Sequence, residues 1–204
     1  VSGVRSIEQL TSIANSYAKV LAYVNGGGSV ADAPTIADYQ NIGVALPHTV
    51  AATSGSAMKL FNSVVHAQDN TAKVDSVAEL NRLALTVDQI MQVAAVAPLA
   101  DRYPVQYPPV SSTLKPADLS ALGLTGVDSN SLACLLNKLQ TTADDGSGAL
   151  TVAALQGMMD AAIAAERKIT QFARDDAGDA PTVADFDALG LQLPVDSSRS
   201  SAPY

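Results

Sequence analysis

The residues best equipped for chemistry are few and lie apart. The two histidines, His48 and His66, have no acid or second histidine at ligand spacing, whereas a zinc centre draws three or four such groups together. The single cysteine, Cys134, falls between Leu132 and Leu135 on the apolar side of a helical pattern, where a free thiol behaves as a small buried hydrophobe. No histidine and acid stand in an arrangement that would activate it as a nucleophile, and one cysteine builds neither a disulfide framework nor a thiolate zinc site. Two acidic stretches, Asp144-Asp-Gly-Ser-Gly148 and Arg174-Asp-Asp-Ala-Gly-Asp179, raise the question of calcium. Neither has the D-x-D-x-D-G-x5-E frame that closes on the ion with a bidentate acid, so both read as polar turns. The glycines of Asn25-Gly-Gly-Gly-Ser29 are followed by no Lys-Thr and preceded by no strand, which makes a linker rather than a phosphate loop. The expectation is a chain with no catalytic residues, no cofactor and no metal site: not an enzyme.

Composition narrows the partners. The 204 residues are 48% hydrophobic, so the chain can bury a core, and 12 Lys and Arg against 20 Asp and Glu leave a net charge of −8. That balance offers no clustered basic surface for nucleic acid or anionic lipid. No apolar run approaches the ~18 residues of a membrane span, which predicts no membrane insertion. The chain opens at Val1 with neither a methionine nor a signal-peptide pattern, as a processed product or an excerpt would.

Repetition is what positions everything else. Three segments begin alike, at Ser6-Ile-Glu-Gln-Leu10, Ser76-Val-Ala-Glu-Leu80 and Thr151-Val-Ala-Ala-Leu155, 70 and 75 residues apart. We label this first element helix C. A second, helix A, recurs as Thr35-Ile-Ala-Asp-Tyr39, Pro116-Ala-Asp-Leu119 and Thr182-Val-Ala-Asp-Phe186, each followed within a few residues by a glycine: Gly43, Gly123 and Gly190. A third, helix B, occurs twice, with Leu60, Phe61, Asn62 and Val64 matching Leu135, Leu136, Asn137 and Leu139. The predicted order is C-A-B, C-A-B, C-A. Apolar residues at Leu10, Ile13, Ala14, Tyr17, Val20 and Leu21 step by three or four, the period of one helix face. The third C segment holds four extra residues before Lys168-Ile169, about one helical turn, so its face stays in phase. Ser6 with Gln9 and Ser76 with Glu79 have capping-box spacing. Thr35 with Asp38 and Thr182 with Asp185 place an acid in the first turn, where the helix dipole favours it. The three glycines mark left-handed helix ends.

These elements predict an all-α fold of tandem small three-helix bundles in a linear array. Repeat 1 spans 1–74, repeat 2 spans 75–149 with a Tyr/Pro-rich loop at 98–113, partial repeat 3 spans 150–194, and a polar tail occupies 195–204. The T-x-A-D-[YF]-x-x-x-G-[VL] segment, the Thr125-Gly-Val127 turn and the L-x-x-L helix resemble the alanine-rich three-helix tandem repeats of large bacterial surface adhesins and biofilm-associated proteins. The resemblance covers nearly the whole chain. It departs after Gly43 and after Gly190, where no Thr-Gly-Val turn follows. It implies an extracellular or cell-surface location and a role as spacer, stalk or matrix fibre, with no catalytic residues to transfer.

Two features break the repeat. From the start of helix C to the helix A aspartate there are 32, 42 and 34 residues in the three copies. The excess in copy two is Pro98-Leu-Ala-Asp-Arg-Tyr-Pro-Val-Gln-Tyr-Pro-Pro-Val110. Its prolines favour an extended path and its tyrosines offer broad contact area, so Arg102, Tyr103, Tyr107, Pro108 and Pro109 are candidate partner-binding residues. A loop packing over its own bundle is the plainer alternative. The third copy lacks helix B, which predicts exposed stripes at Leu155, Met158, Ile169, Phe172, Phe186 and Leu189. These are candidate self-association residues, covered either by chain beyond Tyr204 or by another copy head to tail. The expected function is therefore a non-enzymatic structural and adhesive repeat protein in bacterial surface attachment, biofilm matrix or fibre assembly. Its partners would be itself or adjacent repeats, with a host or matrix protein besides. The alternative is a helical binding module that recognises a soluble protein or small ligand through the 98–113 loop.

Overall fold

A computed structural model describes residues 6–24, 30–51, 55–95, 112–142, 146–175 and 178–191. Among them are eight α-helices and no strand: α1 Ile7–Tyr23, α2 Ile36–Asn41, α3 Ser56–His66, α4 Val77–Ala94, α5 Pro116–Ala121, α6 Ser129–Gln140, α7 Val152–Asp175 and α8 Val183–Ala188. The all-α expectation holds, and the helices follow the predicted order of types. Each type keeps its character: α2, α5 and α8 are six residues each, and α7 has 24 residues against 17 and 18 in α1 and α4. The additional length of α7 accommodates the four-residue insertion as helix.

Local chemistry sets the helix boundaries. The Ser76 hydroxyl accepts from the Glu79 amide while the Glu79 carboxylate accepts from the Ser76 amide, closing both sides of a capping box. At α1 the Ser6 hydroxyl accepts from the Gln9 amide at 3.2 Å. Lys115 replaces threonine ahead of α5, yet its backbone amide still donates to Asp118 at 2.9 Å, with Pro116 opening the helix. The glycines after the short helices all adopt positive φ, +91° at Gly43, +100° at Gly123 and +76° at Gly190, as their position in the pattern predicts.

The core is one continuous cluster, running from Val20 on α1 to Met159 on α7. Helix α1 packs on α2 and touches α3; α3 packs on α4; α4 packs on α5 and α6; α6 packs on α7; and α7 packs on α8. Helix α3 also reaches α7, where the Ser63 hydroxyl accepts from the Val152 amide at 3.0 Å. A strictly linear array puts the first repeat out of reach of the third, so this contact corrects that expectation. The reason is local: Val152 opens α7, and its free first-turn amide finds an acceptor on α3. The buried polar side chains follow the same rule of satisfaction. Gln68, at the end of α3, donates to the carbonyls of Val64 and Ala121, tying α3 to α5.

Gly190 fits more tightly than the other glycine turns. A Cβ there would stand 2.6 Å from the backbone carbon and oxygen of Asn137, whereas one at Gly43 meets nothing within 4 Å. Gly190→Ala is expected to cost about 2–4 kcal/mol, left-handed strain plus overpacking, and to detach α8 from α6. Gly43→Ala carries only the strain, about 1–2 kcal/mol. Hydrogen exchange at the Phe186, Leu189 and Leu191 amides reads the difference; equal effects of the two substitutions would contradict the close approach.

Candidate functional site

Two polar devices recur at equivalent places in the sequence pattern. The first is a clamp on the helix A aspartate. Asp38 accepts from the Thr35 amide and hydroxyl, both at 2.8 Å, from Lys19 Nζ at 2.9 Å and from the Ser16 hydroxyl at 3.2 Å. Asp185 accepts from the Thr182 amide at 2.6 Å, the Thr182 hydroxyl at 2.8 Å and Lys168 Nζ at 2.8 Å. Lys19 on α1 and Lys168 on α7 occupy the same register once the four-residue insertion is counted, so each joins a long helix to the short helix after it. The middle copy has Gln89 in that register, and Gln89 bonds Thr113 instead.

The clamp holds both carboxyls well below the ordinary carboxylate range. At Asp38 partial burial pushes upward, and the Thr35 amide, the Lys19 ammonium and the Thr35 hydroxyl outweigh it, bringing the pKa to about 2. At Asp185 the Lys168 hydrogen bond leads, with the Thr182 amide and hydroxyl, again to about 2. A carboxylate whose pKa falls on folding stabilises the fold above its unfolded pKa of about 3.9 and loses that contribution as pH drops through its folded value. Asp38→Asn is therefore expected to destabilise the chain at pH 7 by about 1 kcal/mol after solvent screening. The gap to wild type closes as pH falls from about 4 to 2. Melting curves across that window test this, and a gap independent of pH would contradict it.

The second device is a clasp between a turn and a long helix. The side chain of Asn81 on α4 accepts from the Ala45 amide at 2.8 Å. Gln156 on α7 accepts from the Thr125 amide at 2.9 Å and donates back to the Thr125 carbonyl at 3.3 Å. Asn81 and Gln156 each lie five residues after the start of their helix C, and Ala45 and Thr125 each lie two residues after the helix A glycine. Each clasp thus pins the turn after a short helix to the next long helix in the chain. Aromatic contacts reinforce the first repeat: Tyr39 lies 4.9 Å from Phe61, and its hydroxyl donates to Asn62. Burial raises the Tyr39 phenol well above its usual value, with Tyr23 and Asp38 adding to the effect, so the phenol stays a donor.

The candidate site residues divide three ways. Arg102, Tyr103, Tyr107, Pro108 and Pro109 lie outside the described residues, as do Asp144, Asp145 and the linker glycines 26–28. Of the six self-association candidates, Leu155 corrects the expectation of an exposed stripe: it is fully buried, because α6 and α3 both pack on α7. Met158 is half-buried and packed against the same core. Ile169, Phe172, Phe186 and Leu189 are half-buried, on the second half of α7 and on α8. Cys134 is half-buried rather than enclosed; partial desolvation, Glu166 and Asp128 all raise its thiol pKa, which lowers the thiolate fraction. His66 bonds the Tyr23 carbonyl at 3.0 Å and lies 4.6 Å from the Tyr23 ring, while His48 is exposed elsewhere.

Among the described residues no three His, Cys, Asp or Glu side chains converge as a metal site, and no helix is long and apolar enough to cross a membrane. One surface stands apart. The first half of α1 is exposed, with Ile7 and Leu10 open to solvent beside a shallow groove lined by Thr11, Asn15, Lys19 and Asp38. Sequence periodicity put Leu10 on a buried face, and only the packing shows that among the described residues no helix covers it. The threonine–aspartate half of each clamp was legible in the T-x-x-D spacing; the lysines and the clasps were not, because apolar periodicity passes over polar positions. No family model, curated protein or solved structure matches the chain.

Proposed function

We propose that the chain is a non-enzymatic structural and adhesive repeat protein of the bacterial surface or extracellular matrix, built from tandem three-helix units and acting in attachment, biofilm matrix or fibre assembly. The observation that carries this reading is the clasp. The same hydrogen bond joins repeat to repeat twice, Asn81 to Ala45 and Gln156 to Thr125, and joining units in series is what a spacer or stalk needs. The repeats are those of 1–74, 75–149 and 150–194, wound closely enough for α3 to meet α7.

Deleting residues 101–110 tests the reading against a binding module. Beads coated with either chain are scored for surface attachment, and circular dichroism follows the fold. A structural repeat protein keeps its helicity, its melting temperature and its attachment. Loss of attachment with the fold intact would overturn the proposal in favour of recognition through the loop.

A further inference from the structure

The three copies of helix C have the same sequence pattern and different neighbours. Helix α4 packs against α3, the helix B before it, and α7 packs against α6, also the helix B before it. Among the described residues helix α1 packs chiefly against α2 and α3, and Tyr17 also donates to the Asp75 carbonyl. Burial records the difference at one equivalent position: Leu80 and Leu155 are 0% exposed, whereas Leu10 is 56% exposed. The other end of the fold shows the same deficit from the opposite side. Tyr39 in α2 is covered by α3, which contributes Phe61 and Asn62, and Leu119 in α5 adjoins α6. Both are fully buried, while Phe186 in α8, at the same position, is only half-buried. The residue after the glycine follows suit: Val44 is 4% exposed, Leu124 3% and Leu191 51%.

We propose that both open faces, the first half of α1 and the α7–α8 end, are docking sites for one occupant: an amphipathic α-helix of the α3 and α6 type. Its chemistry is set by the two helices already seated in equivalent places. It is eleven or twelve residues long, as α3 and α6 are. Its apolar residues repeat as in Leu132, Leu135, Leu136 and Leu139, and it carries an asparagine where α3 has Asn62, whose amide donates to the Pro34 carbonyl and accepts from Tyr39. The face is continuous with an interface the fold uses twice, so the occupant needs no new geometry. Helix α1 has Thr11 at the clasp position, and Thr11 bonds back to the Ile7 carbonyl, so the α1 face takes the helix without a clasped turn.

A second copy of the chain cannot supply that helix from its described residues, because the apolar faces of α3 and α6 are buried in their own core. From their described residues, two copies therefore join end to end only through a bridging helix that fills the α7–α8 face of one and the α1 face of the next. This deepens the repeat reading proposed above and rests on it.

An extended chain tests the inference directly. A second copy of residues 127–150, which carries α6 and its natural connector to helix C, is placed ahead of Ser6 in the full-length chain. The melting temperature is expected to rise by about 2–4 °C for each kcal/mol of docking energy, and the Leu10 amide to gain at least roughly tenfold protection, about 1.4 kcal/mol, from exchange. Leu10→Asp should abolish both gains in the extended chain and leave the unextended chain unchanged. No rise in melting temperature, or a rise that survives Leu10→Asp, overturns the proposal. So does a concentration-dependent dimer of the unextended chain that Leu10→Asp abolishes, since the occupant would then be a second copy. These outcomes are separate from the loop-deletion test, which can fail while the helix docks and succeed while it does not.

Discussion

Phe61→Ala is expected to lower the unfolding free energy by about 3–5 kcal/mol, the cost of emptying a fully buried phenylalanine site. Phe61 is 0% exposed, packs 4.9 Å from the Tyr39 ring and lies on α3, the helix that meets α1, α4 and α7. Its removal weakens the seat of α2 through Tyr39 as well as the central cluster. Domains of this kind are stable by about 5–15 kcal/mol in all, so the loss is a large fraction of the total. Because the core is continuous, urea denaturation should remain a single transition with a lower midpoint. A loss under about 1 kcal/mol, or a split into two transitions, would contradict a shared core centred on α3.

The second large effect is at Leu155. Leu155→Ala is expected to cost about 2–5 kcal/mol, because α6 and α3 pack on α7 and this side chain has no exposure. Leu10→Ala, at the equivalent position of α1, should change stability by no more than about 0.5 kcal/mol, the usual range for a surface site. Measured side by side in urea, the pair isolates the effect of the preceding helix from that of the residue. Equal costs at the two positions would mean that the open α1 face is closed in solution.

The contrast between Leu10 and Leu155 also shows what the sequence carries and what it leaves out. Helix type and order were legible because capping residues, apolar steps of three or four and terminal glycines act locally, within a turn or two. Ser76 with Glu79, and the left-handed Gly43, Gly123 and Gly190, are set by residues close in the chain. Exposure is a property of neighbours. Leu10 and Leu155 occupy the same place in the same pattern; α6 and α3 pack on α7, whereas among the described residues no helix covers Leu10. Phe186 and Leu189 at the C-terminal end are half-buried. The exposure of Leu10 on α1 was not legible, because periodicity describes the face a helix would bury rather than the helix that buries it.

Electrostatic detail was partly legible for the same reason. The T-x-x-D spacing announced the local half of each clamp, from Thr35 to Asp38 and from Thr182 to Asp185. The lysine comes from the preceding long helix, 19 residues earlier at Lys19 and 17 at Lys168, and becomes visible only when the helices are placed side by side. The clasps of Asn81 and Gln156 are longer-range still, 36 and 31 residues from their partners. Interactions of that span tie together elements far apart in the chain, which no local pattern announces.

Negative-stain imaging of the native material bears most directly on the central claim that this chain works as a structural repeat. The account predicts thin stalks or filaments with a regular axial spacing. A field of isolated compact particles, at any concentration, would contradict it.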